Sequence, residues 1–353
     1  MAKFLTKTLF RLHLVLGILL GLYAFGIGLT GSILVYRDEL TEWVHPKLFE
    51  PVTEVNVSAD AALATVKQAY PAWRVLTLTG PELSRGAWMA YLQGKDEAME
   101  AYVDAGSGKL RGVYRRGDGW LGWIAQMHFN LMGGRTGRLL NGYAGLGLML
   151  LALTGVILWR PRLARLAWHA RPVHVNLGLV TSLFIVIMGF TGGYFTWFKA
   201  YVDGVRIFLP ARALPPLKIA APGIQRKSYQ ELADTAQRAV PAAQVFRIPV
   251  GGGPKDVVKI SMRHATMGEF QRVSHVTLDP YTGEILRLEP LADRPAGDRL
   301  IGNFSAVHFG VWGGQASRAL WAALGLSLPA LFITSFSLWW RRLRQRGLSG
   351  LWG

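Results

Sequence analysis

Four stretches of the chain contain no Asp, Glu, Lys or Arg and are long enough to cross a lipid bilayer: 12–36, 139–159, 174–198 and 319–340. Inside hydrocarbon a backbone must satisfy its own polar groups, and an α-helix does so within a single segment. The sequence therefore predicts a membrane protein with four helical spans, TM1 to TM4 in chain order.

The segments that flank these spans differ in charge. Residues 1–11, 160–173 and 341–353 hold eleven of the 39 Lys and Arg residues and none of the 22 acids. Under the positive-inside rule these short segments are cytoplasmic, so both termini are inside and the long segments 37–138 and 199–318 are external. The net charge of +17 then reflects topology and contact with anionic membrane lipid, and it does not indicate a nucleic-acid partner.

The chain contains no cysteine. This absence excludes disulfides, iron–sulfur clusters and covalent haem attachment through a C-x-x-C-H motif. Any haem in this protein has to be held non-covalently, by histidine or methionine.

The two halves of the sequence resemble each other. HLVLGILLGLYAFGIGLTG begins at His13 and HVNLGLVTSLFIVIMGFTG begins at His174; HFNLMGGRTGR begins at His128 and HFGVWGGQASR begins at His308. Both halves enter and leave the membrane in the same sense. The sequence therefore predicts a parallel internal duplication with a pseudo-two-fold axis along the membrane normal.

Each long external segment also contains the same series of elements. A helical pattern opens at Ser58 in the first segment and at Ser228 in the second, where Ser228-x-x-Glu231 is a capping box. Strand-like runs follow, and each segment then has a hairpin whose turn contains Asp and Gly: Asp104 and Gly108, or Asp279 and Gly283. The sequence predicts one α+β domain in each external segment.

The repeat brings the histidines together in pairs. His13 and His174 open TM1 and TM3 at the predicted cytoplasmic face, whereas His128 and His308 precede TM2 and TM4 at the outer face. A group on a two-fold axis has the same surroundings on both sides. The pattern therefore predicts two non-covalent b-type haems, one near each face, each with two axial histidines.

Small and basic residues near these histidines are further candidates for haem contacts. The small residues permit close approach of a porphyrin, or they permit close packing of another helix. Arginines suit the haem propionates, or they anchor span ends at lipid headgroups. His169 is an alternative to His174 as the inner ligand. The candidates are Gly17, Gly178, Gly31, Gly192, Arg138, Arg318, Arg11 and Arg171.

The chain resembles the PepSY-associated transmembrane family of bacterial inner-membrane proteins. The resemblance covers nearly the whole chain and rests on R-L-H-x3-G from Arg11, LTGSILVYRDEL at 29–40, two PepSY-like helix-strand-hairpin segments and the H-F-x3-G-G segments. Within that family it is most similar to the di-haem siderophore-iron reductases. This resemblance implies haem ligands at His13, His174, His128 and His308, and reduction of ferric siderophore on the periplasmic side.

Three other functions remain open from the sequence. The first alternative is a haem-containing electron-transfer subunit for another periplasmic oxidoreductase. The second is a haem-free PepSY protein that binds or inhibits a partner. A transporter is disfavoured because the four spans contain no carboxylate. The electron donor is a quinol or a cytoplasmic flavoprotein. The chain has no G-x-G-x-x-G motif between a predicted strand and a predicted helix, so the sequence predicts no dinucleotide-binding site.

Overall fold

The structure, a computed structural model, describes residues 2–81, 85–95, 97–158, 170–211, 215, 217, 219, 225–264 and 273–346. Contacts divide the chain into two compact units. The helical unit comprises Met1–Arg37, Trp123–Phe208 and Ile301–Gly353, and the sheet unit comprises Asp38–Gly122 and Leu209–Leu300. Each unit thus combines segments from both halves of the sequence.

The described part of the chain contains eleven α-helices. They are α1 (Ala2–Leu34), α2 (Arg37–Val44), α3 (Ala59–Ala69), α4 (Gly119–Asn130), α5 (Gly134–Leu158), α6 (Ala170–Thr196), α7 (Phe198–Phe208), α8 (Tyr229–Ala239), α9 (Ala296–Phe309), α10 (Gly314–Gly325) and α11 (Ser327–Arg346).

Four helical segments are long and apolar enough to cross a membrane: Thr6–Leu34, Gly134–Leu158, Val173–Thr196 and Val311–Gln345. They lie at the four predicted positions, so the prediction of four membrane-length helices is confirmed. The fourth segment differs from the predicted continuous span 319–340. It begins earlier and consists of α10 and α11, which meet at Leu326. Pro329 explains the break, because proline has no N–H and its ring excludes the carbonyl four residues earlier.

The four long helices form a bundle in which α1 and α6 are each packed between α5 and α11. The helices α1 and α6 are therefore diagonally opposed. At Gly28 the approach between α1 and the α10–α11 break is close, since a Cβ there would lie 2.6 Å from the carbonyl oxygen of Gly325. The apolar interior midway along the bundle contains Ala24, Leu148 and Phe184. Part of the small-residue pattern in the first span thus serves helix packing.

In the described part of the sheet unit, eight strands form one antiparallel sheet. The strands are β1 (Arg74–Thr79), β2 (Ala87–Gln93), β3 (Ala98–Asp104), β4 (Leu110–Tyr114), β5 (Ala243–Pro249), β6 (Val258–His264), β7 (Val273–Leu278) and β8 (Ile285–Glu289). Their order is β4-β3-β2-β1-β5-β6-β7-β8.

Strands from both external segments therefore share one sheet, whereas the sequence predicted a separate α+β domain in each. The two groups join where β1 pairs with β5, with Leu78 opposite Ile248. Periodicity within a strand does not reveal which distant strand will pair with its free edge. The segments 123–138, 199–208 and 301–318, predicted with the external domains, belong to the helical unit.

The helices α3 and α8 cover one face of this sheet. Val66 and Ala236 on these helices pack with Leu78, Ile248 and other apolar side chains in a single core. The helices also cap each other, because the Asp60 carboxylate accepts backbone N–H groups of Tyr229 and Gln230. Those N–H groups belong to the first turn of α8, where no intrahelical acceptor is available.

The local predictions for the sheet unit agree with the structure. The capping box at Ser228 and Glu231 is formed. In both hairpins the aspartate side chain accepts backbone N–H groups of the turn, and Gly108 and Gly283 have φ of +74° and +76°. Glycine is suited to these positions because a side chain disfavours positive φ.

Candidate functional site: two histidine pairs

Two pairs of histidines face each other in the helical unit. The imidazole centroids of His13 on α1 and His174 on α6 are 6.4 Å apart, and their planes form an angle of 76°. The centroids of His128 on α4 and His308 on α9 are also 6.4 Å apart, with an interplanar angle of 53°. The structure thus brings together the same partners that the sequence repeat matched.

The spacing within each pair is compatible with two imidazoles that bind one metal ion from opposite sides. Metal–imidazole bonds are about 2 Å long and a ring centre lies about 1.1 Å behind its nitrogen, which gives a centroid separation of about 6 Å. The observed separation in both pairs is 6.4 Å. The two angles between ring planes differ, so the pairs are similar in spacing and distinct in orientation.

Every one of the four histidines has a threonine hydroxyl beside its Nδ1 atom. In each case the threonine belongs to a long helix of the same half of the chain. The Nδ1–Oγ1 distances are 3.0 Å for His13 and Thr154, 3.2 Å for His174 and Thr334, 3.1 Å for His128 and Thr30, and 2.9 Å for His308 and Thr191.

The direction of these hydrogen bonds follows from a second contact of each threonine. Each hydroxyl lies within 2.7–2.9 Å of the carbonyl oxygen four residues earlier in its own helix. A hydroxyl has one proton, and the carbonyl can only accept it. The threonine oxygen therefore accepts from Nδ1–H of the histidine. This tautomer leaves Nε2 of each ring as the atom with a lone pair, which is what a metal requires.

Burial keeps His128 and His308 neutral. It lowers the pKa of His128 to about 4. Burial, followed by the nearby charge of His128, lowers the pKa of His308 to about 3. An uncharged imidazole is the form that coordinates metals, because the imidazolium has no free lone pair. Near neutral pH both outer histidines are therefore competent ligands.

The donor set fits a haem better than a bare metal ion. Among the residues that the structure describes, no three His, Cys, Asp or Glu side chains converge on a possible metal position. Each pair thus offers two nitrogen donors, whereas a structural zinc site usually has four protein ligands. A haem would need only two protein ligands for its iron, and each histidine pair could provide them.

The four candidate glycines have different surroundings. A Cβ at Gly31 would lie 2.8 Å from Cε1 of His128, and one at Gly192 would lie 3.5 Å from Cε1 of His308. A side chain at Gly31 would therefore displace the His128 ring, whereas one at Gly192 would make ordinary contact with His308. A Cβ at Gly17 would meet no atom within 4 Å, so open space lies beside the backbone one turn after His13. At Gly178 it would be in ordinary contact with Leu331.

The candidate arginines are not equivalent either. Arg318 is buried, and its Nε and Nη2 atoms donate to the carbonyl oxygen of Val35 at the end of α1. Its guanidinium also lies over the Tyr36 ring. Arg138 and Arg11 are exposed. The side chain of Arg171, and His169 with its possible ligand role, lie outside what the structure describes. Arg318 therefore caps a helix end, while Arg138 and Arg11 remain accessible to anionic groups.

Sequence reasoning missed the hydroxyl partners in TM2 and TM4. Thr154 and Thr334 are separated by 180 residues, the same offset as His128 and His308. This shared offset could have identified Thr154 and Thr334 as matching residues of the repeat. His174 has an additional neighbour, Ser335, whose Oγ lies 3.1 Å from Nδ1. Gly155 was missed as well; a Cβ there would lie 3.1 Å from Cε1 of His13.

Two further residues hold the helices that carry the outer histidines. The Asn141 side chain donates to the carbonyl oxygens of His128 and Phe129 near the end of α4. The Trp321 indole donates to the carbonyl oxygen of Val307 near the end of α9. Carbonyls in a last helical turn have no intrahelical donor, so these side chains satisfy them and fix both helix ends.

Four membrane-length helices with paired histidines between them define a multi-pass membrane protein with candidate cofactor sites. The chain belongs to the family described as "PepSY-associated TM region", whose model matches residues 10–342. No curated protein matches the chain.

Proposed function

We propose that this protein is a di-haem b-type oxidoreductase of the bacterial inner membrane that carries electrons to ferric siderophore in the periplasm. One observation supports the proposal most strongly. All four histidines have a partner ring whose centroid lies 6.4 Å away, and each has a threonine hydroxyl at Nδ1, so that Nε2 carries the lone pair. Four repetitions of one arrangement are more than the packing of a bundle requires.

In this proposal the chain's own residues have separate roles. His13 and His174 would hold the inner haem, and His128 and His308 would hold the outer one. The threonines orient the rings and increase the basicity of Nε2 by accepting a hydrogen bond from Nδ1–H. Haem bound in the two sites would supply one-electron oxidation and reduction on each side of the membrane. The sites are separated by about 25 Å, since His13 and Thr30 are 17 residues apart on α1.

The distribution of charge supports the orientation. The basic segments 1–11, 160–173 and 341–353 lack acids, which favours the cytoplasmic side for both termini. The sheet unit is then periplasmic, and the His128–His308 pair is the one nearer the periplasmic face. The ferric siderophore is a fitting acceptor because hard oxygen ligands bind Fe³⁺ far better than Fe²⁺, so reduction releases the iron. The family resemblance points to the same acceptor.

The first experiment measures haem directly. The full-length protein is purified in detergent from haem-sufficient cells, and its optical spectrum is recorded before and after dithionite. We expect a low-spin b-type spectrum with two haems per chain, and one haem in His128→Ala. His45→Ala is the matched control, because His45 is a sheet-unit histidine beside Tyr114 and should leave both haems in place.

A second experiment tests the acceptor. Dithionite-reduced protein, freed of excess reductant, is mixed anaerobically with ferric siderophore, and reoxidation is followed optically. Rapid reoxidation that His128→Ala slows would support the reductase. Haem without reoxidation by any siderophore would favour an electron-transfer subunit for another oxidoreductase. A colourless wild-type protein would refute the proposal and leave a haem-free binding protein.

A further inference from the structure

The face of the sheet opposite α3 and α8 carries a cluster of arginines around one aromatic ring. Strand β5 has a bulge at Phe246, where the register passes from Val245–Met262 to Arg247–Ser261. Val245 and Ile248 both pack in the core beneath the helices. The bulge therefore places Phe246 and Arg247 together on the other face, because it interrupts the alternation of side chains along the strand.

Two guanidinium groups contact the Phe246 ring. The Cζ atom of Arg263 lies 3.8 Å from the ring centroid, and the Cζ atom of Arg247 lies 5.0 Å from it. Arg263 projects from β6 on the same face, since its neighbour Met262 points into the core. Phenylalanine holds both side chains in place through cation–π contacts without neutralising either charge.

Positive charge exceeds negative charge around this ring. Arg116 pairs with Glu100, and it lies close enough to Arg247 that burial and then Arg116 lower the pKa of Arg247. Among the described residues Arg247 has no carboxylate partner. Glu289 on β8 lies in the same cross-strand row as Arg247, and it pairs with Lys259. Arg247 thus remains a charged donor available to an anion.

A buried hydroxyl lies next to Arg247. Thr79 on β1 is the cross-strand partner of Arg247, so both side chains emerge on one face. Thr79 is only 4 % exposed, and its Oγ1 has no hydrogen-bond partner among the described residues. Buried hydroxyls in folded proteins are normally paired. This unpartnered group beside an unneutralised arginine is an independent indication of a binding position.

We propose that Thr79, Phe246, Arg247 and Arg263, here named the Arg247 cluster, bind a negatively charged metal chelate. Guanidinium groups match carboxylate and catecholate oxygens, and the aromatic ring and guanidinium planes stack against the rings of a catecholate. The assignment of the ligand as a ferric chelate rests on the proposed function. The cluster then selects anionic chelates over neutral and cationic ones.

The test separates binding from reduction by replacing iron with gallium. Ga³⁺ forms a tris-catecholate with the charge and shape of the ferric complex but is not reduced under these conditions. Titration calorimetry on the full-length protein in detergent is expected to show saturable binding that weakens with added salt. Arg247→Ala should reduce the affinity about tenfold or more, since it removes a charge-assisted hydrogen bond.

Several comparisons make the result specific. Arg238→Ala removes an arginine from α8, on the covered face, and should bind as the wild type does. Arg247→Lys keeps the charge and should retain part of the affinity. A cationic gallium hydroxamate should bind no more weakly to Arg247→Ala than to wild type. A folded Arg247→Ala protein, with unchanged unfolding temperature, that binds the tris-catecholate normally would overturn the proposal, as would absence of binding to wild type.

The outcome does not depend on haem. If the protein proves colourless but binds the gallium tris-catecholate through Arg247, the anion site stands and the reductase proposal fails. If the protein contains two haems and reduces siderophores with equal affinity in Arg247→Ala, the reductase stands and the anion site fails.

Discussion

At the scale of single residues, the hydroxyl of Thr30 has a defined direction. It donates to the carbonyl oxygen of Gly26 and lies 3.1 Å from Nδ1 of His128. Threonine inside a helix commonly donates a hydrogen bond to the carbonyl oxygen one turn earlier. Here this hydrogen bond leaves the lone pairs of the threonine oxygen available to the histidine. A side chain that lacks the hydroxyl would leave a buried imidazole N–H without an acceptor.

Replacement of Thr30 by valine preserves shape and removes the acceptor. For the proposed haem at His128, we expect Thr30→Val to weaken retention by about tenfold, the usual scale for loss of a partner to a metal-binding histidine. The reduction potential of that haem should rise, because a less basic imidazole stabilises the ferric state less. Haem dissociation to apomyoglobin and a potentiometric titration measure the two effects. Thr30→Ser restores the hydroxyl and should resemble wild type; a Val variant identical to wild type would contradict the tautomer assignment.

Asp104 supplies a pH-dependent part of the stability of the sheet unit. The backbone N–H of Ser107, followed by Arg111, lowers the pKa of Asp104 from 3.8 to about 2. The native state therefore favours the ionised carboxylate. Its stabilisation is complete above about pH 5 and is lost as the pH falls through 4 toward 2.

Asp104→Asn should accordingly unfold at a lower temperature than wild type at pH 7, and the difference should shrink between pH 4 and pH 2. Circular dichroism during heating in an acid-stable detergent gives the comparison. Asp118→Asn, at an exposed aspartate, is the control and should show no such trend. A difference that stays constant down to pH 2 would mean that Asp104 acts through packing or turn geometry alone.

At the scale of elements, the short helices α4 and α9 present the outer histidines, and their ends are fixed from the bundle. Asn141 on α5 donates a hydrogen bond from Nδ2 to the carbonyl oxygen of His128, at a distance of 2.8 Å. Its Oδ1 accepts a hydrogen bond of 2.7 Å from the Tyr23 hydroxyl. This connection links α1, α5 and the end of α4. The position of His128 thus depends on a polar side chain in the apolar bundle.

Asn141→Leu should lower the free energy of unfolding by about 1–3 kcal/mol, because it leaves buried polar groups unpaired. In the proposed di-haem protein it should also broaden or shift the electron paramagnetic resonance signal of the haem at His128 and leave that of the haem at His13 unchanged. Tyr23→Phe removes only the phenol bond and is the matched comparison. Equal perturbation of both haem signals by Asn141→Leu would show a general loss of packing instead of a local cap.

The sequence predicted those elements whose cause is local. Charge-free length predicted the four spans, the capping box at Ser228 predicted the start of α8, and Asp104 with Gly108 predicted a turn. It did not predict the bulge at Phe246, the pairing of β1 with β5 or the cap from Asn141. These features depend on which distant group lies opposite a residue. The histidine pairs are long-range contacts too, but the repeat made their partners visible.

At the scale of the whole molecule, the joint between β1 and β5 connects the two halves of the sheet. Gly80 directly follows β1, and a Cβ there would lie 2.6 Å from the carbonyl oxygen of Val245 on β5. The backbones of the two halves approach closely at this position, and only glycine fits without displacement.

Gly80→Ala should therefore destabilise the sheet unit by about 1–3 kcal/mol, a normal cost for backbone strain. The optical spectrum of the two proposed haems should not change. Gly204→Ala is the control, since a Cβ on this glycine of α7 meets no atom within 4 Å and helix propensity favours alanine. Limited proteolysis and thermal unfolding report on the sheet. Wild-type stability in Gly80→Ala would show that the two halves separate easily at this joint.

The order of the strands also has a consequence for biosynthesis. The partner of β1 is encoded about 170 residues later, as the pairing of Thr79 with Arg247 and of Thr77 with Pro249 shows. Ribosomes add about 5–20 residues per second, so the edge of β1 stays open for roughly 10–30 s while two more spans enter the membrane. The unpaired backbone N–H and C=O groups of an open strand edge can pair with strands of other chains. The first half of the sheet is therefore most prone to pair with other chains during this interval.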